Sequence, residues 1–204
     1  HYEFLVCPFG VTNAPPQFQA MVNDLFADML DDFVIVFLDD LLIYSQNIEE
    51  HAIHLNRVLA RLREHKLFAK ASKTEIAVIG TDFVGHWISA KGIHPLPVKT
   101  RAILNWKPLE NVTDVRSFLG MTSFYRRYVH RYAHLATPLY ELTVKDAQWQ
   151  FGPRQEEAFE ALKSALTNSP VLILPDPERP YVVVTDAMDT AMGGTLMQDH
   201  GRGL

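Results

Sequence analysis

A single cysteine, Cys7, in 204 residues excludes an internal disulfide and a cysteine-rich zinc site, and it fits a reducing, intracellular compartment. No apolar run reaches the ~18 residues that a membrane-spanning helix needs, so no membrane partner is expected. No basic segment followed by an apolar stretch opens the chain, which argues against a signal peptide. Internal repeats and low-complexity tracts are absent, which excludes a solenoid or a linker-type chain. The chain lacks an initiating methionine and opens in what reads as mid-strand, so it is expected to be a piece of something longer. The sharpest absence is of positive charge: residues 1–50 hold nine Asp/Glu and no Lys or Arg. The balance then reverses, with fifteen basic and seven acidic residues over 51–150, and four against eight over 151–204. An acidic block beside a basic one suits a metal-dependent enzyme acting on nucleic acid, with carboxylates for cations and Lys/Arg for phosphates. Ordinary surface variation produces the same totals. A length of 204 residues is enough for one large domain or two small ones, and the 48% apolar content is enough for a core.

What is present centres on residues 33–44, where Asp39 and Asp40 stand between the apolar runs Phe33-Val34-Ile35-Val36-Phe37-Leu38 and Leu41-Leu42-Ile43-Tyr44. Such runs predict buried strands, with the acidic pair at the turn of a hairpin. Asp-Asp also suits a plain solvated turn, because Asp tolerates turn geometry and caps its own backbone. Held between buried strands, though, two anions make sense as ligands of a divalent cation, as in two-metal phosphoryl-transfer sites.

Along the rest of the chain, Asn13-Ala14-Pro15-Pro16 predicts a proline-started helix with Phe18, Met21, Val22, Leu25, Phe26 and Met29 inward. Asn47 and Glu50 predict a capping box for a helix running to about Leu67, with Ile48, Ala52, Leu55, Leu59 and Leu62 on one stripe. Strands are expected at 76–79 and 83–88, with a turn at Lys91-Gly92. Pro95 and Pro97 mark a junction. Val98, Ala102 and Trp106 predict a short helix, and Asn111 caps another through Val115, Phe118, Leu119 and Thr122. A third helix is expected over 154–167, with Ala158, Phe159, Leu162, Ala165 and Leu166 inward. Prolines at 170, 175, 177 and 180 punctuate a linker before a strand at 181–186 and its hairpin partner at 193–198.

The order of five motifs carries more than any one of them: Cys7-Pro8-Phe9-Gly10, Asn13-Ala14-Pro15-Pro16-Gln17-Phe18-Gln19, Phe37-Leu38-Asp39-Asp40, Phe83-Val84-Gly85-His86, and Arg116-Ser117-Phe118-Leu119-Gly120 with Tyr125-Arg126-Arg127-Tyr128. Together they resemble the reverse transcriptase of gypsy-type long-terminal-repeat retrotransposons. Thr185-Asp186-Ala187, with Asp189 and Gly193, is similar to the start of the RNase H domain that follows it. The resemblance implies an α+β fold: a partial reverse-transcriptase palm over 1–94, a helical thumb and connection over 95–170, and the first strands of an RNase H-like domain over 171–204. It implies RNA-directed DNA synthesis by two-metal transfer with Mg²⁺, Mn²⁺ being possible. The implied partners are an RNA template, a DNA primer, their hybrid and dNTPs. Asp39 would bind metal directly and Asp40 would support the site. Phe9, Gly10, Pro15, Phe18, Gln19, Phe37 and Leu38 would lie near nucleotide and template, although 9–19 also reads as a plain proline-started helix. Val84, Gly85, His86 and Trp87 would grip the primer, or His86 and Trp87 serve as core or edge residues. Arg116, Tyr125, Arg126, Arg127 and Arg131 would contact nucleic acid, the tyrosines offering flat faces; the alternative for 125–132 is a solvated basic face over buried tyrosines. Asp186 would hold RNase H metal. The implied location is a cytoplasmic virus-like particle or the nucleus.

The departures matter as well. Phe37 stands where Tyr is commoner, so a hydroxyl is missing. Met188 replaces a small polar residue, and 199–204 does not look like the family's continuation. The family's third polymerase carboxylate is expected before His1 and most RNase H carboxylates after Leu204, so the chain alone is predicted not to extend primers. The rival expectation is a decayed or retained piece that only binds nucleic acid or protein. An unrelated two-metal nuclease would make the motif order a coincidence.

Overall fold

A computed structural model describes residues 1–8, 10–168, 176, 178–188 and 191–199, without the side chains of 186–188, 191 and 192. Pro15 and Pro16 sit in the first turn of helix α1 (Ala14–Leu25), where the missing N–H groups cost nothing. The helix stops four residues earlier than its apolar spacing predicts: Phe26 and Met29 are buried from the turns that follow, while Phe18 and Met21 face outward. Strands β1 (Val34–Phe37) and β2 (Asp40–Ile43) form the expected hairpin, with Val34 opposite Ile43 and Phe37 opposite Asp40. Continuous apolar runs predict burial on both faces. Only one face is covered, Val34, Val36, Leu41 and Ile43 packing into a core with Val22, Phe26, Phe33, Val58 and Leu62. Ile35 and Phe37, on the other face, are exposed.

Helix α2 (Ile48–Glu64) begins as predicted. Asn47 accepts from the Glu50 N–H at 2.8 Å, and Glu50 accepts from the Gln46 N–H at 2.8 Å. Its inward stripe is rotated from the predicted one, with Val58 and Leu62 buried and Ile48 and Leu59 exposed. Phe33 sets this rotation by stacking on His54 with ring centroids 3.8 Å apart.

Residues 76–79 form no strand, and the predicted strand at 83–88 is split by a turn at Val84-Gly85. Strands β3 (Gly80–Phe83), β4 (His86–Ser89) and β5 (Gly92–Pro95) make an antiparallel meander. Helices α3 (Pro97–Leu104), α4 (Val112–Phe124), α5 (Tyr132–Glu141) and α6 (Pro153–Thr167) enclose a second core around Ile103, Phe118, Leu139 and Leu162. Asn111 caps α4 by accepting from Asp114 N–H at 3.0 Å. The sequence pattern missed α5, because Pro138 lies inside it. Strands β6 (Tyr181–Met188) and β7 (Ala191–Gln198) pair antiparallel, as expected.

Candidate functional site

The β1–β2 turn consists of Leu38 and Asp39. Leu38 has φ of 52°, a conformation that L residues with bulky side chains resist, so the turn needs outside support. Gln19 of α1 supplies it: its Oε1 accepts from the Leu38 N–H at 2.5 Å, and its Nε2 donates to the Val36 carbonyl at 3.4 Å and to Asn23 Oδ1 at 2.8 Å. One side chain thus ties the helix to both sides of the turn. Asp39 and Asp40 are exposed and, among the described residues, have no side-chain hydrogen-bond or ion-pair partner. Residues facing each other across a ladder share a face, so Phe37 lies beside Asp40 on the uncovered side.

The other carboxylates of the acidic block are elsewhere. Asp28 receives the Arg61 guanidinium through two bonds of 2.9 and 3.0 Å, with Arg57 at 3.8 Å, and the Arg61 bonds above all hold its carboxyl below the usual range. Asp31 and Asp32 lie at the far end of the hairpin. There, burial first and these two charges second push the Tyr44 hydroxyl up. A four-residue strand separates them from Asp39, on the order of 13 Å. Among the described residues no group of three or more His, Cys, Asp or Glu could hold a metal. The donor chemistry of Asp39 and Asp40 still fits a hard divalent cation, since both carboxylates are uncommitted oxygen ligands next to each other in the chain.

In the segment expected near nucleotide and template, Phe9 lies outside the described residues. Gly10 has φ of 96°, which requires glycine, and Pro15 and Phe18 are exposed on α1. The β3–β4 turn has φ of 49° at Val84 and 75° at Gly85. Trp87 lies over Gly80, where an added Cβ would come within 2.8 Å of the ring.

The run 125–132 divides by face. Arg126, Arg127 and Arg131 are exposed and, among the described residues, have no ion-pair partner, while Arg116 donates to the Thr143 carbonyl at 3.2 Å. Tyr125, Tyr128 and Tyr132 are buried. The expectation that Tyr125 offers a flat face to nucleic acid is therefore corrected: its ring is 1% exposed and its hydroxyl donates to the Gly85 carbonyl at 2.8 Å. Aromatic spacing alone does not distinguish a stacking platform from a core wall. Asp186 lies in β6 opposite Gly193, and its side chain is outside what is described.

Residues 1–123 match the family described as reverse transcriptase (RNA-dependent DNA polymerase), and residues 151–204 match the RNase H-like domain found in reverse transcriptase. The second match runs through 199–204, correcting the expectation that this tail departs from the family. A Tf2-3 transposon polyprotein of Schizosaccharomyces pombe is 34% identical over 98% of this chain, which spans 15% of that protein. A retrovirus-related Pol polyprotein from transposon 297 of Drosophila melanogaster is 34% identical over 98% of the chain, which spans 19% of it. A foamy viral protease-reverse transcriptase solved with an RNA/DNA hybrid shares the fold, with a TM-score of 0.81 and 24% identity over 96% of this chain and 27% of that one. The chain belongs to the reverse transcriptase family and corresponds to the reverse transcriptase/RNase H region of gypsy-type retrotransposon polyproteins.

Proposed function

We propose that this chain is part of an RNA-directed DNA polymerase in which Asp39 and Asp40 serve two-metal nucleotidyl transfer. The observation that carries this is the acidic pair itself: two exposed, uncommitted carboxylates at a turn that Gln19 holds to α1. A divalent cation at this pair, Mg²⁺ or Mn²⁺, would supply the charge that acidifies a primer 3′-hydroxyl and steadies an incoming triphosphate. Asp39 is the direct ligand in this scheme and Asp40 the supporting carboxylate. Phe9, Gly10, Pro15, Phe18, Phe37 and Leu38 border the nucleotide and template. Phe37, lacking a hydroxyl, contributes an apolar surface beside Asp40. The β3–β4 hairpin, with Val84, Gly85, His86 and Trp87, holds the primer end. Arg116, Arg126, Arg127 and Arg131 follow the phosphates of an RNA–DNA hybrid, a shape-based grip that carries no base readout. The hybrid bound by the foamy viral relative supports this choice of partner. Asp186 on β6 belongs to the associated RNase H function, and the setting is intracellular. The domain boundaries fall near residues 94 and 170.

One observation favours a non-catalytic piece that binds nucleic acid: only two carboxylates meet at the hairpin tip among the described residues. Primer extension on an RNA template with Mg²⁺ separates the two. Residues 1–204 are expected to be inactive, and a longer chain that includes the segment before His1 is expected to extend the primer. In that longer chain D39N should lower the rate by roughly a thousandfold or more, the scale of losing metal-borne charge stabilisation. No extension by the longer chain would refute the polymerase assignment. Extension by residues 1–204, lost in D39N/D40N, would mean that a further carboxylate of this chain or a second copy completes the site.

A further inference from the structure

The β3–β4 turn carries strain that the rest of its sheet does not explain. Both central residues are left-handed, and Val84 at φ of 49° is a β-branched residue where Asn or Gly would be at ease. Such a turn persists only where its surroundings impose it. The contacts that impose it come from about forty residues further along the chain. The Tyr125 hydroxyl donates to the Gly85 carbonyl at 2.8 Å, and the Tyr128 hydroxyl lies 2.9 Å from His86 Nδ1. The His86 ring stacks on Phe124 with centroids 5.1 Å apart and meets Tyr125 edge-on at 5.7 Å. A Cβ on Gly85 would reach 3.3 Å from the Phe124 ring, so the glycine permits the close approach.

Both tyrosine rings are rooted in the helical core, with only 1% and 3% exposed, and their hydroxyls reach out to the turn. Ile93 of β5 packs against the same core. Among the described residues, none from β3, β4 or β5 joins the core built on α1, α2 and the acidic hairpin.

We propose that Tyr125 and Tyr128 are positioning residues: they lock the β3–β4 turn to α4 and the turn after it, so that the hairpin moves with the helical segment and sets where a primer end lies. The primer half of this statement rests on the function proposed above; the lock itself does not. Within the segment that ends near residue 94, it also sets a mechanical division before residue 80.

Y125F/Y128F tests the proposal, because it deletes the two hydroxyls and leaves the rings in the core. Y132F is the control: it removes the Tyr132 hydroxyl, 2.9 Å from Thr122 Oγ1, from the same core, where among the described residues no hydrogen bond joins it to the hairpin. In residues 1–204, Y125F/Y128F should speed hydrogen exchange about tenfold or more at the amides of 85–88, and Y132F should not. In the longer, extending chain the double variant should raise KM for primer–template about five- to tenfold with kcat within about twofold, and Y132F should leave both unchanged. Unchanged exchange at 85–88 would overturn the lock. Faster exchange there with unchanged KM would overturn the positioning role. If the parent chain extends no primer, the polymerase assignment fails, and the exchange arm still decides the lock.

Discussion

Gln19 holds three polar groups in one geometry: the Leu38 N–H, the Val36 carbonyl and Asn23 Oδ1. Its place in Asn13-Ala14-Pro15-Pro16-Gln17-Phe18-Gln19 marked it as functional, but a pattern of residue types contains no partner seventeen to nineteen positions away. Q19A removes the side-chain acceptor of the Leu38 N–H and frees a turn already strained at φ of 52°. Its expected cost is about 1–2 kcal/mol in denaturant unfolding. Q19E keeps an acceptor oxygen at that position, so it should lose less stability. Equal losses for the two would show that the amide's donor side, toward Val36, matters more. Asp28 teaches the opposite lesson. It belongs to the acidic block that suggested cation ligands, yet Arg61 from α2 claims its carboxylate. Net charge by segment therefore exposed an acidic surface, and only partner geometry separated the free carboxylates from the neutralised one.

Among the elements, the β3–β4 hairpin rests on contacts from about forty residues further along the chain. Burial, assisted by the nearby Arg127 charge and opposed by Asp82, holds the His86 pKa below its ordinary 6.5. The folded chain thus resists protonation of this ring, while the unfolded chain takes the proton freely. The stability tied to neutral His86 is complete above about pH 6.5 and is lost as pH falls through the lower folded-state value. Thermal melting between pH 7 and pH 5 should show Tm falling on acidification, and H86N should make that fall shallower. An H86N curve parallel to the parent's would contradict this. Capping and proline signals placed the starts of α1, α2 and α4 well, because an N-cap or a first-turn proline acts within a few residues. The inward stripe of α2 was not legible in the same way. Its Ile48 and Leu59 are as apolar as Leu62, and the stacking of Phe33 on His54 selects the face that turns inward.

At the scale of the whole chain the described residues form two cores. One joins α1, α2 and the acidic hairpin, the other joins α3 to α6, and no described residue belongs to both. Phe118 is fully buried in the second, edge-on to Trp106 at 5.5 Å and 4.7 Å from Phe159. F118A should cost about 3–5 kcal/mol, read by Trp106 fluorescence during denaturant unfolding, with amide protection of β1 and β2 unchanged. A parallel loss of protection there would mean that the two cores unfold as one. Residue order was enough to place the acidic pair on a hairpin, the proline-started α1, the capped α2 and α4, and the family. All of these rest on local stereochemistry or on motif order. Tertiary structure alone decided which tyrosines are core wall rather than open platform and which Asp stays unpaired. It also decided that the β3–β5 meander packs with the helices after it. Those outcomes depend on groups twenty to forty residues apart in the chain, and their meeting is settled by packing and burial, which no local pattern encodes.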